Sequence, residues 1–242
     1  MTALVKRQGK ILDLRRDCAW DLAMGLLLLL FASAALGYPL RCVAQAVIAY
    51  GLIALGVLWL LDQHLPLRAF GAANRITLLR AVLVALLTGQ IGQAEASDWL
   101  PAAVALTAVV LDGLDGWTAR RRGTVSRFGA RFDMEVDALL ILVLAGLAWQ
   151  LDKTGAWVLA AGALRYLFLA AQWAVPRLDR PLPPSRRRQA VCVLQCLALV
   201  ACVSPLLSAG AAAAVAAGAL GLLVLSFAID LAWLARPLGE RS

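Results

Sequence analysis

Charge is scarce in this chain. Asp, Glu, Lys and Arg make up only 16% of its 242 residues, while 62% are hydrophobic. Ordinary soluble domains are roughly 25% charged, so the balance excludes a water-soluble globular protein and points to an all-α, polytopic membrane bundle. Histidine is almost missing: His64 is the single one, in a turn beside Pro66. Chemistry built on a histidine base or on several histidine ligands has little to start from, and the position reads as a solvated loop residue. Cysteine is sparse as well. Cys18, Cys42, Cys192, Cys196 and Cys202 include no CxxC pair, and no His or acid joins Cys192 and Cys196 on their shared helix face. They read as small apolar residues in membrane helices, not as a redox or zinc motif. No aromatic-basic module accompanies the net charge of +8, so a nucleic-acid partner is excluded and the excess reads as topology and contact with anionic membrane lipids. A charged n-region, a short apolar core and a small-residue cleavage site do not occur together at the start, so the first apolar run is expected to be retained.

What the chain has in abundance is apolar sequence. Runs of about 20 residues, enough to cross a bilayer, fall at about 19–37, 42–61, 74–93, 99–119, 133–151, 156–175, 189–207 and 210–234. That makes about eight transmembrane helices, the last two divided only by Ser204-Pro205 and the stretch from Ser208 to Gly210. The basic residues alternate in step with these runs. Lys6, Arg7, Lys10, Arg15 and Arg16 precede the first, Arg68 and Arg75 follow the second, five arginines from Arg120 to Arg131 follow the fourth, and Arg177, Arg180 and Arg186 to Arg188 follow the sixth. The opposite loops hold Arg41 and Lys153 beside Glu95, Asp98 and Asp152. By the positive-inside rule both termini and the arginine-rich loops face the cytoplasm, as in a multi-pass protein of a bacterial-type inner or plasma membrane.

Between the fourth and fifth runs lies LDGLDGWTARRRGTVSRFGARFDMEVDALL, in which Asp112, Asp115, Asp133 and Asp137 are spaced by three, eighteen and four. On helices each pair projects from one face, and two antiparallel helices would bring all four carboxylates together. Carboxylates at membrane depth are costly and point to function. Four could not stay ionised without a counter-charge, and hard oxygen donors suit Mg2+ or Mn2+. Two ions would suit a phosphate substrate, with one carboxylate left to act as base. Gly116, one turn after Asp112, and Gly129, one turn before Asp133, would let a phosphate or nucleotide approach the backbone.

The string Asp112, Asp115, Gly116, Ala119, Arg120, Gly129, Asp133 and Asp137 resembles the signature of the CDP-alcohol phosphatidyltransferases at all eight fixed positions. The segment AANRITLLR, with Asn74, Thr77 and Arg80, resembles the opening of that family's first core helix. The resemblance implies a six-helix core over residues 72–235, preceded by a basic segment (1–18) and two additional helices (19–71) and followed by a short tail (236–242). It implies transfer of a phosphatidyl group from a CDP-linked lipid such as CDP-diacylglycerol to an alcohol, with release of CMP, and commonly a homodimer. In the division of labour it implies, Asp112 and Asp133 bridge two metal ions and Asp115 completes the first. Asp137 completes the second and takes the proton of the acceptor hydroxyl. Gly116 and Ala119 leave room for the nucleotide, Arg120 meets its diphosphate, and Asn74, Thr77, Ser126 and Gly129 join the substrate site.

Other residues are less committed. Arg165 falls about ten residues into the sixth run, where an arginine must find an anion; it serves either an acceptor pocket or a structural pair. Arg186 to Arg188 follow Pro183-Pro184 and serve either as an inside anchor or as a contact to an acceptor phosphate. These arginines tilt the choice of small alcohol toward a phosphorylated one. Glu135, between Asp133 and Asp137, points off their face. Two other classes compete. An intramembrane prenyltransferase would need a second Asp-rich motif, and none follows Asp137. A transporter would not need the DGxxAR stretch, and the Asp motif has no internal repeat.

Overall fold

A computed structural model describes residues 2–65, 70–93, 99–122, 126–175 and 185–235, with side chains for all of these except 2–11, 115, 117, 119–120, 122, 169, 172–173 and 235. Every regular element among the described residues is helical. The chain forms α1 (Thr2–Ala35), α2 (Leu40–Gln63), α3 (Gly71–Thr88), α4 (Trp99–Arg122) and α5 (Arg127–Gln150). After a 3-10 turn (Ala156–Leu159) come α6 (Ala160–Ala174), α7 (Arg186–Val203) and α8 (Ala209–Ala235). Among the described residues four stretches, Leu12–Ala35, Leu40–Gln63, Gly71–Thr88 and Ala209–Leu234, are long and apolar enough to cross a membrane, and Trp99–Leu114 and Ala156–Phe168 are shorter apolar segments. The protein is a polytopic helical membrane protein.

The helices begin and end where local chemistry, more than hydropathy, dictates. α1 starts at Thr2 instead of near residue 19, because its Lys, Arg, Gln and Leu positions are good helix formers that a search for apolar runs passes over. α4 likewise continues through Arg120–Arg122, residues expected in a loop. At the other end of the chain, α7 stops where Ser204 turns its hydroxyl back to the Ala201 carbonyl (2.7 Å) and Pro205 follows. The uncertain boundary between the last two helices therefore lies at residues 204–208.

The chain divides into two compact units, one of residues 1–91 and 104–137, the other of residues 92–103 and 138–242. In the first, α1 and α2 pack against α3 and against each other. Over half of the α3 span is buried (56%), against 28% for α1 and 22% for α2, so α3 is the core helix and the other two are its jacket. The Tyr50 hydroxyl donates to the Leu22 carbonyl at 2.8 Å across Gly25, where a Cβ would lie 2.1 Å from that oxygen. Arg15 pairs with Asp62 (2.7 Å) and Arg75 with Asp21 (3.0 Å) along the same jacket.

In the second unit α7 and α8 form a helical hairpin, and α6 packs on α8 with Phe168 edge-on to Phe227 (5.6 Å). Near one end Arg187 donates to the Ser226 carbonyl (2.6 Å) and to Asp230 (2.5 Å); toward the other the Cys202 thiol reaches the Ala212 carbonyl (3.3 Å). Lys153 donates to the Leu207 carbonyl (2.5 Å) in the turn between them. Gly162 on α6 lies against α5: a Cβ there would sit 2.6 Å from the Leu142 Cα, a backbone atom that cannot yield without moving its helix. Gly162→Ala is therefore expected to destabilise by about 1–3 kcal/mol and to lower the unfolding temperature in detergent by several degrees. An unchanged midpoint would show that the two helices are not held at this distance.

Candidate active site

The site grows from α3. Asn74, Thr77 and Arg80 follow one another at intervals of three, so each is turned only about 60° from the last, and all three are buried. An arginine in the middle of an apolar helix must find anions nearby, and Arg80 does so completely. Its side chain is 1% exposed. Nε donates to the Ala108 carbonyl on α4 (3.2 Å), Nη1 pairs with Asp112 at 2.9 Å and donates to Asp133, and Nη2 donates to Asp137.

The acids meet it from two helices. Asp112 sits on α4, and Asp133 and Asp137 stand one turn apart on α5, so both face the same way. One oxygen from each of the three lies within 4.8 Å of the others. Among the described residues, three carboxylates meet one guanidinium here, so negative charge predominates and a divalent cation would be attracted. Three convergent carboxylate oxygens, already gathered around a cation, are a donor set that fits Mg2+ or Mn2+. Asp115 is carried by α4 three residues beyond Asp112, with its side chain, like that of Arg120, outside the described residues. Glu135 does not join the cluster; it pairs with Arg131 along α5 (3.3 Å).

Beside the acids, the first turn of α5 meets the first turn of α3. Ser126 precedes α5 and its hydroxyl accepts the Gly129 amide (3.0 Å), so it caps the helix that carries Asp133 and Asp137. Asn74 donates to the Phe70 carbonyl (2.5 Å) and points its own carbonyl at Gly129, where a Cβ would lie 2.7 Å away. Thr77 hydrogen-bonds back to Ala73 (3.2 Å) within α3. Gly116 is half-buried within α4. His64 departs from expectation. Its ring is half-buried, lies edge-on to Phe128 (6.4 Å) and bonds the Leu60 carbonyl (2.9 Å). Phe70, Phe128 and Phe132 complete the aromatic group at 5.9 and 6.0 Å, so apolar packing draws the histidine out of water.

The structure thus brings Asp112, Asp133, Asp137, Asn74, Ser126 and Gly129 into one region of the first unit, together with Arg80, which the sequence placed only in the opening segment of a helix. The remaining candidates belong to the second unit. Arg165 is half-buried on α6, and Arg186 is exposed as the first residue of α7. Its neighbours Arg187 and Arg188 both reach the buried Asp230 (2.5 and 3.2 Å). Asp230, the single charged residue in the sequence of α8, was not singled out among the candidates.

Comparison with known proteins agrees with this geometry. Residues 70–229 match the family model of the CDP-alcohol phosphatidyltransferases. No curated protein and no solved structure matches the chain. The matched stretch covers more than half of the 242 residues and includes α3, the motif aspartates and the helices that follow them as far as residue 229 of α8. The chain belongs to the CDP-alcohol phosphatidyltransferase family.

Proposed function

We propose that the protein transfers a substituted phosphate from CDP-diacylglycerol or a closely related CDP-lipid to a small alcohol, releasing CMP, at a site built on Asp112, Asp115, Asp133 and Asp137. The observation that carries this reading is the convergence of Asp112, Asp133 and Asp137 from two helices within 4.8 Å, inside the stretch that matches the family. Asp112 and Asp133 would hold both of two divalent ions, Asp115 the first and Asp137 the second. Bound there, the ions supply positive charge that offsets the diphosphate and the departing CMP.

The chain's own residues do the rest. Asp137 accepts the proton of the acceptor hydroxyl, whose oxygen forms a new bond to the β-phosphorus as the bond from that phosphorus to the oxygen of CMP breaks. Asn74, Thr77, Gly116, Arg120, Ser126 and Gly129 line the nucleotide side, with the lack of a side chain at Gly129 keeping the Asn74 amide in place. The basic residues Arg165 and Arg186, as read from the sequence, favour a phosphorylated acceptor. The basic residues that follow alternate helices support a site on the cytoplasmic side.

Replacing Asp112, Asp133 or Asp137 by Asn keeps side-chain volume and removes a ligand charge. Each change is expected to lower CMP release from CDP-diacylglycerol by at least about 100-fold, with the protein still inserted and folded. Run across a panel of free and phosphorylated alcohols, the same assay identifies the acceptor, and turnover near the wild-type rate in any of the three variants would overturn the assignment.

Gly129→Ala pushes a methyl against the Asn74 carbonyl. It is expected to raise the apparent KM for the CDP-lipid by about tenfold, the effect of displacing one hydrogen-bonding group, and to leave the acceptor KM unchanged. Varying each substrate in turn measures both constants.

Orientation is tested on a cysteine-free background. A cysteine at the exposed Ala156 should react with an impermeant thiol reagent added to intact cells, whereas one at the exposed Ala130 should react only after the membrane is opened. The reverse pattern would put the aspartates on the side opposite the proposed one.

A further inference from the structure

Arg80 carries a charge into the centre of the site that the transfer chemistry leaves without a task. It is among the largest fully buried side chains of the protein, and its two terminal nitrogens engage the three carboxylates read above as metal ligands: Nη1 meets Asp112 and Asp133, and Nη2 meets Asp137. In each of these three pairs the oxygen it meets is Oδ1. The guanidinium and an incoming ion therefore compete for the same acids. Nε donates elsewhere as well, to the Ala108 carbonyl one turn before Asp112.

We propose that Arg80 is a built-in counter-cation which a divalent ion must displace from Asp112, Asp133 and Asp137, so that it sets how tightly the site holds its metal. The inference rests on the reading of these aspartates as metal ligands. Two physical terms support it. Three carboxylates drawn together repel one another, and the planar fork of an arginine holds them converged by charge and by hydrogen bonds from several directions. The same fixed positive charge repels a second cation at short range, where the surroundings screen poorly. An ion that enters must replace those hydrogen bonds with its own coordination and share the acids with a guanidinium still held through Nε. Arg80 is thus a positioning residue. It acts through the acids, keeping them assembled and lowering their affinity for metal into a range where the ion can exchange.

The test is Mn2+ binding to purified, detergent-solubilised protein, followed by electron paramagnetic resonance in the absence of substrate. Arg80→Gln removes the charge and the fork, and is expected to tighten Mn2+ binding by at least about tenfold, a small part of what Coulomb's law allows for deleting a unit charge beside a divalent ion. Its melting temperature should fall in EDTA and recover in Mg2+, so that the gap between the two conditions is wider than in the wild type. Arg80→Lys, which keeps a charge without the fork, should fall between the two in affinity, and it carries the test if the glutamine variant does not fold. A purely structural arginine would give weaker or unchanged Mn2+ binding in both variants, and that result overturns the proposal while leaving the metal reading standing. Failure of the wild type and of both variants to bind Mn2+ overturns the metal reading and the proposal with it.

Discussion

A positive charge that cannot reach water must be met by negative ones, and this constraint at Arg80 shapes the first unit. Stripping one partner from a buried ion pair costs about 3–5 kcal/mol, so the pairing of Arg80 with three aspartates is strongly enforced. It also reaches across sequence. The Ala108 carbonyl and the acids lie 28 to 57 residues away, on α4 and α5, and one side chain ties three helices together. The acids in turn need the arginine, because three carboxylates from two helices would otherwise push those helices apart. Neither the cation nor the anions make sense alone.

Around this charged centre the rest of the first unit is ordinary apolar packing. α3 is buried on most sides, whereas α1 and α2 present rows of large residues such as Trp20, Phe31, Leu52 and Trp59 outward. Such faces suit lipid chains, since in a bilayer an exposed leucine costs nothing and helices associate through close fit. The fit is visible where Tyr50 crosses Gly25 and where Gly89 comes close to the Cys42 carbonyl, at which a Cβ would stand 2.7 Å away. The second unit is held by a different device. Its α7–α8 hairpin is pinned at one end by Arg187, Arg188 and Asp230 and at the other by Cys202 and Lys153.

Much of this was legible in the residues before any coordinates. Apolar runs of membrane length mark the helices, and the i, i+3 and i, i+4 spacings of the aspartates fix which face each presents. Convergence of Asp112, Asp133 and Asp137 follows from those spacings once α4 and α5 are taken as helices. What escaped has a common cause. Hydropathy marks where a chain is greasy, not where a helix begins, so the polar start of α1 and the arginine-rich end of α4 were missed. Spacing within one helix says nothing of partners on another, so Arg80 was seen only as part of a motif, and Asp230 was not seen at all. Ser126 was read as a substrate contact, and the geometry adds a structural duty as the cap of α5. His64 was read as solvated because it sits in a turn beside Pro66; in space its ring lies edge-on to Phe128.

The length of α1 has a consequence in the direction normal to the membrane. Thirty-four residues at about 1.5 Å each give a rod of about 51 Å, and even at a tilt of about 40° it spans some 39 Å, more than the roughly 30 Å of hydrocarbon. The excess is matched by the basic residues Lys6, Arg7 and Lys10 of its first turns, which suit a headgroup layer. The rod cannot slide to hide this excess. Arg15 holds Asp62 on α2 and Asp21 holds Arg75 on α3, two pegs six residues and about 9 Å apart along its axis. Exposed pairs of this kind add little stability, but together they favour one vertical register. The level of Asp112, Asp133 and Asp137 along the first unit is thus referred, through α2 and α3, to α1, which works as a depth gauge for the acid cluster.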